Sequence, residues 1–179
     1  TTLLPAVKGV VARVIVVRNM AYGEAIKTGL QEATTPWVAT MDGDGQHTAT
    51  ALDQLLWYAQ LSHAGGRVPH LLIGTGARTK GARGLGSAVI NLAASILAGR
   101  RVMDSGSGLR LMRATTARRL AVALPGGFEF NAALTLRFLQ EGYSVDWVPV
   151  PLAPRQLGRS HLRLRDGVRT LSTLWRCRA

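Results

Sequence analysis

Apolar positions along the chain change period several times. Residues 13–17 form a β-branched run, and after Asn19 the spacing of Ala21, Ala25, Ile26, Leu30 and Ala33 is that of a helix. Trp37-Val38-Ala39-Thr40-Met41 reads as a buried strand. Leu52, Leu55, Leu56, Ala59 and Leu61 then follow a helical period, and Leu71-Leu72-Ile73 is another apolar strand. Strand alternating with helix predicts an α/β fold with a doubly wound, mostly parallel sheet flanked by helices. Residues 85–97 and 130–139 predict two more helices, and 145–150 a strand closed by Pro149, Pro151 and Pro154. The pattern after about residue 80 is less regular.

The beginning is unusual for such a fold. Thr1-Thr2-Leu3-Leu4 looks like the start of a helix, and residues 13–17 are the first strand. A nucleotide-binding α/β domain ordinarily opens on a strand and its ligand loop, so a leading βαβ portion of roughly 30 residues is expected to be missing. The sequence therefore reads as one domain over 1–179, N-terminally truncated. With 179 residues, 47% of them hydrophobic, it can bury one sizeable core.

Charge narrows the partners. Lys and Arg total 22 against 10 acidic residues, a formal net charge of +12, and nineteen of the basic residues are arginine. That bias suits two-pronged contacts with phosphate on nucleic acid, an anionic membrane or a phosphorylated substrate. One cysteine, Cys177, excludes an intrachain disulfide and a zinc cluster and fits a reducing compartment. The longest apolar stretch, 85–99, is short of the roughly 20 residues a bilayer span needs. From 155 to 178, seven arginines face a single acid, Asp166, among Leu162, Leu164, Val168, Leu171, Leu174 and Trp175. This predicts a basic amphipathic helix over 162–179, lying either on anionic lipid or on the core with a charged outer face.

The most informative motif is Asp42-Gly43-Asp44-Gly45-Gln46-His47 at the C-terminal end of the strand 37–41, the edge where open α/β sheets bind ligands. Two carboxylates separated by a glycine can share one hard divalent cation that keeps positions open for phosphate oxygens. Three other readings compete. One is a solvated acidic turn. A second is an EF-hand loop using Asp42, Asp44 and Asp53, although His47 stands where its turn needs glycine. The third is the Asp-x-Asp-Gly element of haloacid dehalogenase-like phosphatases, with Asp42 as nucleophile, although Gln46 replaces their threonine.

Four further segments fall in step with this motif. Asn19, Gly23, Ala25, Ile26 and Gly29 follow N-x-G-x-G-x-A-I-x-x-G, with Ala21 in place of the first glycine. Gly74-Thr75-Gly76-Ala77-Arg78 is like a strand ending in G-S-R. Asp104-Ser105-Gly106-Ser107-Gly108-Leu109-Arg110 is like D-x-x-S-G-F-R, and Arg155-Gln156-Leu157-Gly158-Arg159-Ser160-His161 is like R-x-x-G-x-S-K. In order and spacing, over nearly the whole chain, the sequence resembles family 2 glycosyltransferases of the polyprenyl-phosphate (dolichol-phosphate mannose synthase-like) branch.

The resemblance implies a GT-A-like fold and inverting transfer of a sugar from a nucleotide-sugar donor to a polyprenyl (dolichyl or undecaprenyl) phosphate. It implies Mg²⁺ or Mn²⁺ on Asp42, Asp44 and Gln46, with His47 shaping the loop. Donor contacts would come from Asn19, Gly23, Asp42 and Asp44. The acceptor phosphate would meet Arg78, Arg83, Arg155, Ser160 and His161. Asp44, Arg78, Arg155 and Ser160 would carry the reaction. A lipid phosphate, with a second pKa of about 6, is already largely dianionic at neutral pH and needs no general base. Asp104 with Ser107-Gly108 reads either as a partner for an arginine or as a structural turn. Glu129 lies where the family carries an acid, but equally suits a helix N-terminus. Transfer of this kind implies a peripheral protein at the cytoplasmic face of a membrane, with an anionic membrane surface as partner and no nucleic acid. Two alternatives remain: a magnesium-dependent phosphatase using Asp42, and a non-catalytic basic domain binding anions or nucleic acid.

Overall fold

A computed structural model describes residues 19–67, 69–76, 82–154 and 164–178. The predicted strand at 13–17 lies outside them. In chain order the described elements are α1 (Tyr22–Glu32), β1 (Trp37–Thr40), α2 (Ala49–Ala64), β2 (Leu71–Thr75), α3 (Ala82–Ala98), β3 (Arg110–Arg113), α4 (Ala114–Ala121), α5 (Phe130–Gln140), β4 (Val145–Pro149) and α6 (Leu164–Arg176).

The four strands form one sheet in the order β1-β3-β2-β4. β2 and β4 pair in parallel, Leu71 opposite Val145 and Thr75 opposite Pro149. β3 is antiparallel to both its neighbours, with Thr40 and Ile73 each opposite Arg110. The expectation of a mostly parallel sheet is therefore corrected for the described strands, where the sheet is mixed. The cause is β3, which was not predicted. It has only four residues, an arginine at each end, and no apolar run long enough to announce it.

Alternation along the strands splits the core into two layers. Leu72, Leu111 and Val148 face Ala51 and Leu55 of α2. Leu71, Ile73, Met112 and Val145 face the other way, into a larger core shared with α1, α3, α4, α5 and α6. In α5 every residue from Phe130 to Leu136 is buried, so this helix is apolar almost all round because it is enclosed. Asn131 and Thr135 are the polar exceptions. α2 starts on a side-chain cap, the Thr48 hydroxyl accepting from Ala51 N.

The reversed strand has a consequence for function. β1, β2 and β4 all run in one direction, so their C-terminal ends share an edge, and β3 starts from that same edge. The acidic motif after β1, Gly76 after β2, the segment 104–109 before β3 and the segment 150–154 after β4 all meet there.

Candidate active site at the sheet edge

The acidic loop is anchored on three sides. Thr40 Oγ1 donates to Gly108 O at 2.9 Å, fastening the end of β1 to the start of β3. His47 Nδ1 accepts the Asp42 N–H at 3.2 Å, which leaves this nitrogen unavailable as a metal ligand and closes the loop on itself. His47 thus shapes the loop, as expected. Gln46 N–H donates to Asp44 Oδ1 at 3.0 Å, and Gln46 O accepts from Ala153 N at 3.0 Å. The second bond ties the acidic loop to the segment that leads toward Arg155. Between the two carboxylates and His47, Gly45 turns the chain at φ 84°, a conformation glycine adopts without strain.

Asp42 sits against the loop that precedes β3. Its Oδ1 accepts from Tyr22 Oη at 3.2 Å. Its Oδ2 stands 3.8 Å from His47 Nδ1, beyond hydrogen-bond distance, and the side chain is about a third exposed, at 37%. Gly108 packs directly on this carboxylate.

The segment 104–110 is a frame built around a buried cation. Arg110 is fully buried; its Nε donates to Ser107 O at 2.8 Å, one terminal nitrogen to Thr135 Oγ1 at 3.0 Å and the other to Ser105 O at 2.6 Å. Burial lowers the Arg110 pKa to about 10, opposed by the nearby carboxylates of Asp104 and Asp42, so the guanidinium remains protonated at neutral pH. Asp104 Oδ1 accepts from Gly106 N and Ser107 N, and Ser107 Oγ donates to Gly74 O at 2.7 Å. Between its two readings, Asp104 takes the structural turn.

Two groups that sequence reasoning did not single out converge beside Asp42. Tyr22 opens α1, and its hydroxyl pKa is pushed up to about 12 by burial and then by the Asp42 charge. Asn131 Nδ2 donates to that hydroxyl at 2.8 Å. Arg110 lies behind them. Asn131 had one visible signal, a lone amide inside the apolar run of α5.

Other predicted residues fall as follows. Asn19 adopts φ 54° and is exposed at the start of the described chain. Gly23 is corrected from donor contact to packing. It is buried, its N–H donates to Gly126 O at 2.6 Å, and a Cβ there would overlap Phe130 and Gly126. Glu129, only 2% exposed, lies 2.9 Å from Arg169 Nε and joins α5 to α6. Arg78, Arg155, Ser160 and His161 lie outside the described residues, as does the Arg83 side chain. Asp53 is exposed on α2, which begins at Ala49 and cuts through any twelve-residue calcium loop. The EF-hand reading is therefore excluded, and among the described residues no three acids, histidines or cysteines cluster to hold a metal.

The donor set that does exist is two carboxylates on one short loop. It suits a magnesium-type cation, which commonly takes one or two protein carboxylates and fills its other positions with phosphate oxygens and water.

Residues 7–124 match Glycosyl transferase family 2. The chain belongs to this family. The phosphatase reading of Asp42 falls with that assignment. Among solved structures, glucosyl-3-phosphoglycerate synthase from Mycobacterium tuberculosis, in complex with Mn²⁺, uridine diphosphate and phosphoglyceric acid, matches with a TM-score of 0.60 and 18% identity. That match covers 91% of this chain and 56% of that one. A second crystal structure of the M. tuberculosis enzyme gives 0.60 at 15% identity, over 92% and 57%. The crystal structure of a mycobacterial protein gives 0.65 at 15% identity, over 92% and 53%. This chain thus spans a little over half the length of these structures, and the likeness establishes a GT-A-like fold for this family 2 chain.

A groove of about 480 Å³ opens beside the same edge, between α3 and the stretch leading to Asp104. Asn91, Arg101 and Asp104 give it polar lining, and Leu92, Met103 and Leu152 an apolar one.

Proposed function

We propose that this chain is the catalytic portion of a metal-dependent, inverting glycosyltransferase that moves a sugar from a nucleotide-sugar donor to a polyprenyl phosphate at a membrane surface. The observation that carries the reading is the meeting of the acidic loop, the Arg110-framed segment and the ends of β2 and β4 on one sheet edge. Asp42 and Asp44, with the Gln46 amide, would hold Mg²⁺ or Mn²⁺, which when bound offsets charge growing on a departing diphosphate. The chain's own part is to fix those carboxylates and to bring an acceptor phosphate to them. Arg78 stands two positions after Gly76, and Arg155 directly follows the segment bonded to Gln46, so both are candidates for gripping that phosphate, together with Arg83, Ser160 and His161. Asn19, preceding α1, is the remaining candidate for donor contact.

An apolar stripe favours a lipid acceptor. Leu85, Val89, Leu92 and Ile96 recur at helical spacing along α3 and are all exposed, Leu85 at 70% and Ile96 at 71%. α6 packs beside α3, burying Thr170 and Leu174, and exposes Val168 and Trp175 together with Arg165, Arg169 and Arg176. Arg178 stacks over Trp175 at 4.3 Å. Apolar side chains edged by arginines suit an anionic bilayer surface. Leu92 belongs both to the stripe and to the groove that opens at the sheet edge, so a lipid-borne phosphate would have a continuous apolar approach. Among the described residues no helix is long and apolar enough to cross a membrane. Under this reading the protein works peripherally, at the cytoplasmic face.

The structural relatives crystallised with phosphoglyceric acid favour a second acceptor, a small soluble phosphate ester. One assay separates the two. Transfer of radiolabelled sugar from UDP- and GDP-sugars, with Mn²⁺, is measured to undecaprenyl phosphate, dolichyl phosphate and 3-phosphoglycerate. Transfer to the lipid, abolished by Asp44→Ala, supports the proposal. Transfer to phosphoglycerate alone overturns the acceptor, and undiminished transfer by Asp44→Ala overturns the site.

A further inference from the structure

We propose that Tyr22 is a positioning residue for Asp42, locked by Asn131, so that the cation affinity of the acidic loop is set from outside the loop by α1 and α5. The inference rests on the reading of Asp42 and Asp44 as the cation site.

The direction of each hydrogen bond follows from donor and acceptor counting. Asn131 Nδ2 lies 2.8 Å from Tyr22 Oη, 3.3 Å from Ser107 O and 3.4 Å from Gly106 O. The two carbonyls only accept, so the NH₂ side of the amide must face them, and this orientation also points it at the phenol. With a donor already aimed at its oxygen, the Tyr22 hydroxyl directs its single proton to the remaining acceptor, Asp42 Oδ1 at 3.2 Å. The ring cannot swing away freely, because it stacks on Phe128 with centroids 5.6 Å apart and planes 17° apart. Asn131 itself is buried in α5 and backed by the loop that Arg110 holds.

One oxygen of Asp42 is thereby pinned, and the other is left to a cation. A ligating carboxylate commonly needs such an outer partner, and losing it typically weakens metal binding about 10- to 100-fold. Tyr22 and Asn131 are separated by 109 positions, so the fold, and not a local motif, brings them together.

The test is titration of the full chain with Mn²⁺, alone and with UDP, followed by the electron paramagnetic resonance signal of free Mn²⁺. Tyr22→Phe keeps the ring and its stack and removes only the hydroxyl. The expected result is Mn²⁺ binding weakened about 10-fold, with the urea midpoint nearly unchanged. Asn131→Leu should weaken binding in the same direction, and the double variant should be no weaker than the worse single one, because the two act through one bond. Asp42→Asn serves as the control. If Tyr22→Phe binds Mn²⁺ like the parent while Asp42→Asn loses it, the positioning role is overturned and the cation site stands. If Asp42→Asn also binds like the parent, the cation site itself is overturned. Should Asn131→Leu fail to fold, Tyr22→Phe alone decides.

Discussion

Gly108 lies so close to Asp42 that a Cβ built at 108 would overlap Cγ and both carboxylate oxygens. The glycine of the segment before β3 is thus the wall against which the first acid of the metal motif rests. Gly108→Ala should displace the carboxylate from Tyr22 and His47. Overpacking of this kind costs about 1–3 kcal/mol, but the larger effect should fall on Mn²⁺ affinity and transfer activity. Comparing the urea midpoint with Mn²⁺ binding checks this; full binding by Gly108→Ala would show that Asp42 does not depend on that wall.

Arg110 should be among the most sensitive positions in the fold. Its side chain is enclosed and satisfies Ser105 O, Ser107 O and Thr135 Oγ1 at once. Arg110→Leu orphans these acceptors, each costing about 1–3 kcal/mol when buried, so a total loss of roughly 3–5 kcal/mol is expected. Arg110→Lys keeps the charge but not the planar fork, and should recover only part of that loss. Chemical denaturation of both variants measures the difference, and equal stability of parent and Arg110→Leu would refute it.

These two positions also show what the sequence could and could not reveal. The strand Trp37–Thr40 and the loop after it were readable because apolar run, carboxylates and glycines lie consecutively. Phe130–Gln140 was readable as a helix from its apolar content. β3 was not, because a strand of four residues bounded by Arg110 and Arg113 carries no period, and its direction depends on partners β1 and β2, each far off in sequence. The contact of Tyr22 with Asn131 is likewise invisible to any local pattern. The segment 104–110 was legible as a motif, but nothing local showed that its arginine is the buried peg that shapes the loop.

Acid should weaken the fold partly through His70. Burial, and then the charge of Arg113, lowers its pKa below the ordinary value near 6.5. Its ring packs on Tyr143 with centroids 4.7 Å apart, and Nδ1 lies 3.0 Å from Ser144 Oγ. With the folded pKa the lower one, the unfolded chain binds the proton more readily. Stability is therefore intact above about pH 6.5 and lost as pH falls below that value. His70→Gln should flatten the dependence of the urea midpoint on pH below about 6.5. An unchanged slope would assign the acid sensitivity to other groups.

The apolar stripe on α3 supplies a prediction about the membrane that is separable from catalysis. Leu85 and Leu92 are exposed, so replacing them should leave the fold nearly unaffected. Burying a leucine fully in an apolar medium is worth about 1.5–3 kcal/mol, and an introduced glutamate would be repelled by anionic headgroups. The variant Leu85→Glu/Leu92→Glu should therefore sediment with phosphatidylglycerol vesicles at least about 10-fold less than the parent, while its Mn²⁺ binding stays the same. Raising salt should release the parent as well, because the arginines of α6 contribute through screened charge, each worth about 1 kcal/mol near the surface. A parent that ignores these vesicles, or a double variant that binds them equally well, would remove the bilayer as the partner of this face. The acidic loop would be left intact in either outcome, since it lies at the sheet edge and shares no residue with the stripe.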